Sequence, residues 1–449
     1  MTPSLTDTDL KPVFHRLAAT NRAVADRYPG ERDGRQAVHT VYGGAQLFKA
    51  DTARRLGVLA LKALDEYGPD ATTFGSALGL PGRLVEPVYA RVREKLGREP
   101  VEDFRIDYED GYGNRPDAEE DGHAVAGAQE LARGIAAGTA ATFGGIRIKP
   151  LSQELAARSL RTLDLFVTTF VKANGGRWND GLVITLPKIT HPEQVTACAE
   201  ALDALEAKLG LKPHTLPIEL MIETPQSIFA ADGTAAPPGL VAAGRGRVAS
   251  THFGTYDYTA SLDITAAHQH MAHPACDFAK DVLKVSLAGT GVRLSDGATN
   301  IMPVGPHRAP EGGALGEHER IENRRVVHAA WRLHYEHVRH SLETAYYQGW
   351  DLHPGQLPTR YAAVYTFFME GLDAAAERLS NFVGKAAQAT LVGDVFDDAA
   401  TGQGLLNYFS RAIDCGAISE VEAVRRTGLT LEDFQGKSFL AILRRRREA

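Results

Sequence analysis

The sequence predicts an α/β fold of the TIM (β/α)8 barrel type, with a helical extension at the N-terminus and a helical segment at the C-terminus. Three observations carry that prediction. Eight short runs rich in apolar residues recur along the 449 residues, each followed by sequence of helical period. Nearly every run ends in an ionisable residue. No glycine-rich dinucleotide fingerprint follows the first run, which counts against a doubly wound open sheet.

The other elements are organised around IELMIETP, residues 218–225. With a period of two, Ile218, Leu220 and Ile222 share one face, while Glu219, Met221 and Glu223 share the other. A strand this apolar, set between Pro217 and Pro225, belongs in a core. Two carboxylates on one face are costly there unless a cationic neighbour or a bound metal ion neutralises them.

In chain order, helical spacing of Leu10, Val13, Phe14, Leu17 and Val24 predicts a helix over 10–28. The first strand is expected at 37–44, followed by a helix that Asp51 caps and Gly68-Pro69 stops. Residues 70–83, rich in Gly, Thr and Pro, read as loop, and 84–97 as helix. Strand and helix then alternate: 104–110 with 117–137, 144–150 with 152–174, 181–188 with 192–210. Strand 217–224 leads to a Pro/Gly-rich turn near 237–246. Strand 247–254 precedes a helix at 275–288, and strand 291–297 precedes a long charged helix at 317–347. A brief strand within 349–356 leads to the last barrel helix, 358–380.

The expected organisation is an N-terminal helical extension (1–36), the barrel (37–385) with an insertion near 65–103, and a C-terminal helical segment (386–449). That segment should break at Gly393 and Gly416, and its final RRRRE reads as a solvated helix end.

A net charge of −7 leaves no basic footprint for nucleic acid or an anionic membrane. Cys198, Cys276 and Cys415 are too few and too scattered for a disulfide framework or a zinc cluster. No stretch is apolar enough to span a bilayer, and MTPSLTDTDL lacks the order of a signal peptide. The expectation is a cytoplasmic enzyme or binding protein.

In a barrel enzyme the active site lies at the C-terminal strand ends. There stand Asp107, Glu109 and Asp110, then Arg147 and Lys149, Lys188, Glu223, Thr255 with Asp257, and Asp296. Glu223 and Asp257, with open positions between them, suit Mg²⁺, with Mn²⁺ as the alternative ion. Gly254 leaves room for a ligand to approach. Arg147 offers a guanidinium fork for a carboxylate or a developing enolate oxygen. Lys188 is a second cation at the mouth, and Asp107, Glu109 and Asp110 would pair with these cations and hold them in place. His353 sits at the mouth of the last strand as a pocket residue, whereas His252, His268, His270 and His273 lack metal-ligand spacing. There is no nucleophile elbow and no phosphate-cradling loop.

Written in order, the strand ends resemble the citrate lyase β-subunit group of the HpcH/HpaI aldolase superfamily. IDYEDGYG (106–113) is similar to its Asp-Leu-Glu-Asp strand end, IRIKP (146–150) to its arginine strand, and LPKI (186–189) to its Leu-Pro-Lys strand. IELMIET resembles the strand of the glutamate ligand, and FGTYDYTASL (253–262) the Phe-Gly-x-x-Asp segment of the second ligand. LSDGATN (294–300) and LHPGQL (352–357) resemble the last two strand ends. The resemblance implies Mg²⁺ held by Glu223 and Asp257, and Arg147, Gly254, Thr255 and His353 around a small oxo- or hydroxy-acid. It implies carbon–carbon lyase or aldolase chemistry through an enolate, with Arg147 facing the substrate; Lys188 and Asp296 are the other candidate catalytic side chains, and Asp296 is one candidate for a base that the resemblance does not fix.

Some relatives take a carboxylate from a neighbouring subunit's C-terminal segment, which makes a homo-oligomer the expected state. VYGGAQLFKAD (41–51) matches only loosely the region that relatives use for coenzyme A, so a coenzyme A thioester stays open. Two other readings stand beside this one: a pyruvate-type class II aldolase with a histidine base, and a barrel that binds a ligand without turnover.

Overall fold

The computed structural model describes residues 4–32, 34–384, 390–392, 395–397, 399–436, 438–439, 441–442 and 445. Eight strands close into a barrel in sequence order: β1 (His39–Gly44), β2 (Asp103–Asp107), β3 (Phe143–Arg147), β4 (Leu182–Leu186), β5 (Ile218–Ile222), β6 (Val248–Phe253), β7 (Arg293–Ala298) and β8 (Gln348–Asp351). Helices flank the strands, so the α/β TIM barrel expected from the sequence is the fold observed. Contacts divide the chain into two compact units.

One unit comprises Met1–Gly34, Ile146–Gln269 and His273–Ser295. Parallel pairing puts Ile184 beside Ile218, Leu220 beside Thr251, and His252 beside Ser295. Ile218, Leu220 and Ile222 are fully buried, as are Phe166, Phe170, Cys198 and Leu202 of the helices Ala156–Ala173 and Pro192–Leu209. The expected turn near 237–246 is instead a helix, Ala236–Ala243, with prolines in its first turn, where no intrahelical N–H is needed. Asp7–Arg27 forms the N-terminal helix, opened by a Thr6–Asp9 capping box. None of its residues is buried, and Val13, Phe14, Leu17 and Val24 lie exposed.

The interior face of β5 answers the cost raised by its two acids. Glu219 is buried, and hydroxyls from both neighbouring strands reach it: Thr185 Oγ1 at 2.8 Å and Ser250 Oγ at 2.8 Å. Charge-assisted hydrogen bonds from neutral donors therefore serve it.

The second unit comprises Arg35–Gly145, His270–Ala272 and Asp296–Ala449. Here β8 and β1 pair in parallel, His39 beside Gly349, and β1 pairs onward with β2. The predicted loop 70–83 holds a helix, Ala71–Leu78, whose start is capped by Asp70 accepting from the Thr73 N–H at 2.7 Å. Gly79 ends it at φ +67°, a left-handed conformation that suits glycine. The last barrel helix is two, Leu357–Glu370 and Leu372–Gly384. In the C-terminal segment, helices Ala399–Asp414 and Glu420–Thr427 flank the expected break at Gly416, whose φ is +80°. Thr390–Val392 and Val395–Asp397 pair as antiparallel strands where helix was expected. Gly393 and most of RRRRE lie outside the described residues; Arg445 pairs with Glu432 and Asp433. No described helix is long and apolar enough to cross a membrane.

A buried charge network stands at the β8–β1 seam. Asp351 accepts from Arg360 Nη2 at 2.8 Å and contacts His39 Nδ1 at 2.7 Å and His334 Nε2 at 3.0 Å. The Glu102 main-chain N–H donates to His39 Nε2, so the His39 ring proton sits on Nδ1 and points at Asp351. Burial alone would raise the Asp351 carboxyl. The Arg360 charge and the histidine hydrogen bonds outweigh it and hold Asp351 well below the usual carboxylate range.

Candidate active site

Glu223 follows directly on β5 and is 2% exposed. Asp257 lies in the first turn of Thr255–Ser261, the short helix after β6. Both meet at Lys188, beyond the end of β4. The Lys188 main-chain N–H donates to Glu223 Oε1 at 2.8 Å, and its ammonium Nζ donates to Asp257 Oδ2 at 3.1 Å. Lys188 adopts φ +50°, a left-handed conformation unfavourable for a residue with a Cβ. Such strain persists only where the surroundings impose it, and it clusters at working sites.

Gly254 lies between the two acids in sequence, and its role is close approach. A Cβ there would stand 2.5 Å from Glu223 Cβ and 2.6 Å from Glu223 Oε2. Thr255 is buried, and its hydroxyl meets no hydrogen-bond partner among the described residues. Arg147 and Lys149, at and just past the end of β3, are 1% and 5% exposed. This unit thus brings together Glu223, Asp257, Lys188, Gly254 and Thr255 in one cluster.

The cluster fits a hard divalent cation. Its donors are carboxylate oxygens, and a glycine makes room against one of them. Among the described residues no three His, Cys, Asp or Glu side chains gather as a complete cage. Two protein carboxylates with the remaining positions left to water and substrate is the usual arrangement for Mg²⁺.

The other unit holds the remaining predicted residues. Asp107 accepts from the Glu109 N–H at 3.0 Å and the Gly111 N–H at 2.7 Å, so its carboxylate shapes the loop after β2. Glu109 is nearly buried and Asp110 is exposed. Asp296, the expected candidate base, lies on β7. Ser295 pairs beside His252, and the next side chain along β7 alternates to the other face. There Ser341 of helix Glu317–Glu343 donates to Asp296 Oδ2 at 2.6 Å and the Gly297 N–H to Oδ1 at 2.7 Å. This carboxylate ties β7 to a helix. His353 is half-buried; its Nδ1 accepts from the Gly355 N–H at 3.0 Å, which leaves Nε2–H as a donor. Burial lowers its pKa and keeps the ring neutral.

Sequence reasoning passed over His337. It contacts Thr299 Oγ1 at 2.9 Å through Nδ1 and stacks on His270 with ring centroids 6.2 Å apart. Helical spacing alone gives no signal for such a pair. Burial, with neighbouring histidines, pushes His337 down to about 4 from an ordinary 6.5. Between those values the unfolded chain binds the proton more readily, so stability is full above pH 6.5 and is lost as pH falls towards 4. The thermal midpoint should drop across that window, and His337→Asn should flatten the drop.

Comparison with known proteins then places the chain. Residues 17–442 match the family model described as a domain of unknown function, DUF6986. The chain belongs to the DUF6986 family. No curated protein sequence matches this DUF6986 chain. Among solved structures, it is similar to a citrate lyase from Burkholderia xenovorans LB400, at 17% identity and a TM-score of 0.53, over 88% of this chain and 97% of that one. CitE from Mycobacterium tuberculosis, in complex with magnesium, acetoacetate and coenzyme A, is 13% identical at a TM-score of 0.45, over 88% and 99%. A Haloferax volcanii malate synthase is 13% identical at a TM-score of 0.44, over 90% and 99%. The DUF6986 chain therefore shares its barrel fold with that citrate lyase.

Proposed function

We propose that this chain is a Mg²⁺-dependent carbon–carbon lyase or aldolase acting on a small oxo- or hydroxy-acid. The observation that carries the reading is the meeting of Glu223 and Asp257 at one residue, Lys188. The fold shared with a citrate lyase supports it.

Breaking a carbon–carbon bond next to a carbonyl leaves an enolate, and the bound ion would supply Lewis-acid stabilisation of that charge. Glu223 and Asp257 would hold the ion. The Lys188 N–H fixes the Glu223 carboxylate, so little reorganisation is needed when charge develops. The Thr255 hydroxyl would donate to a substrate oxygen, and the buried Arg147 guanidinium would orient a substrate carboxylate. His353 gives little support to the rival reading of a histidine base, since its Nδ1 is taken by the Gly355 N–H and the neutral ring then carries its proton on Nε2.

The test is turnover by the wild-type protein on short oxo- and hydroxy-acids, offered free and as coenzyme A thioesters, with and without chelator. Product is expected only with Mg²⁺ or Mn²⁺ present. Turnover that survives chelation, or ligand-induced stabilisation with no product from any acid, would refute the reading.

A further inference from the structure

We propose that Lys188 is a resident stand-in for the cation: its main-chain N–H holds Glu223 and its ammonium neutralises Asp257 until a divalent ion displaces the ammonium. The inference rests on the assignment of Glu223 and Asp257 as the ion's ligands. Lys188 touches both acids through two different groups, main-chain N–H to Glu223 and ammonium to Asp257. Its backbone is left-handed at this point, φ +50°. The two bonds differ in how easily they part. The main-chain bond lies against a carboxylate that is 2% exposed, whereas the ion pair sits at the water's edge, with Lys188 and Asp257 side chains 30% and 44% exposed. Exposed ion pairs of this kind contribute little, because solvent screens them and the long side chain gives up rotamer freedom.

A doubly charged ion seated on both carboxylates therefore displaces the ammonium while leaving the Glu223 hydrogen bond intact. Lys188 thus has two functions. Before the ion arrives its ammonium offsets the charge of Asp257 while its N–H holds Glu223 in place. Afterwards the ammonium, on a flexible four-carbon stem, leaves Asp257 to meet the carboxylate of an incoming acid.

Two measurements test this. In the first, Mn²⁺ alone is titrated into the full-length protein, and binding is followed by loss of the free-ion paramagnetic resonance signal. Lys188→Met and Lys188→Gln should each bind Mn²⁺ more tightly than wild type, by about two- to fivefold for the loss of an exposed competing pair. In the second, wild-type protein is treated with an amine acylating reagent, and modification of Lys188 is read by peptide mass spectrometry. Adding Mg²⁺ should speed modification, because the ammonium is released from Asp257.

Unchanged or weaker Mn²⁺ binding by folded variants overturns the stand-in role. So does slower or unchanged modification in wild type, a readout that holds even if the variants fail to fold. If wild type binds no Mn²⁺ at all, the ligand assignment falls and the stand-in falls with it. Binding by wild type that Glu223→Gln removes shows that the assignment stands whichever way Lys188 behaves.

Discussion

Glu223→Gln should leave the folded protein intact and lower its divalent-dependent activity by about 10²–10³-fold, the size of losing one preorganised electrostatic group. The amide keeps an oxygen that can accept the Lys188 N–H, now at 2.8 Å, so the strand end has no reason to move. What disappears is the negative charge and, on the side facing Gly254, an oxygen that could bind an ion. Gly254→Ala reaches the same carboxylate from the other side. Its new Cβ would fall 2.6 Å from Glu223 Oε2, and one of the two must shift. Circular dichroism and thermal midpoints should match wild type for Glu223→Gln while Mg²⁺-stimulated turnover collapses. Near-normal turnover would remove Glu223 from the site.

Asp351→Ala should cost about 3–5 kcal/mol of stability, because it leaves a buried cation without its counter-charge. Arg360 is 2% exposed and places two nitrogens on Asp351, while His39 and His334 spend ring protons on the same carboxylate. Water cannot replace the lost acceptor, since Asp351 itself is fully buried. Urea unfolding should show a lower midpoint with an unchanged slope. A loss below about 1 kcal/mol, the range of surface ion pairs, would mean that the network is solvated in solution.

The strands were legible because buried parallel strands are nearly continuous apolar runs, and each of the eight begins within two residues of the expected place. The missed helices share a different cause. ATTFGSAL and APPGLVAA contain residues that disfavour helix interiors, yet Asp70 capping one and prolines opening the other supply the local contacts that composition conceals. In the candidate site, Glu223, Gly254 and Asp257 could be read because all three follow apolar strands. What spacing does not show is that Asp296 takes a hydrogen bond from Ser341 of a helix 45 positions away. Asp351 was overlooked beside His353, since nothing in GWDLHPGQ announces that Arg360, His334 and His39 converge on it.

That convergence has a consequence for how the chain is made. His39 and Asp351, which lock the first strand to the last, are separated by 312 positions. On a ribosome the ring cannot shut until the eighth strand has left the exit tunnel, and β1 waits meanwhile with an unsatisfied edge. Biosynthesis therefore passes through an open curl of strands, a state in which chaperones or sibling chains can intervene.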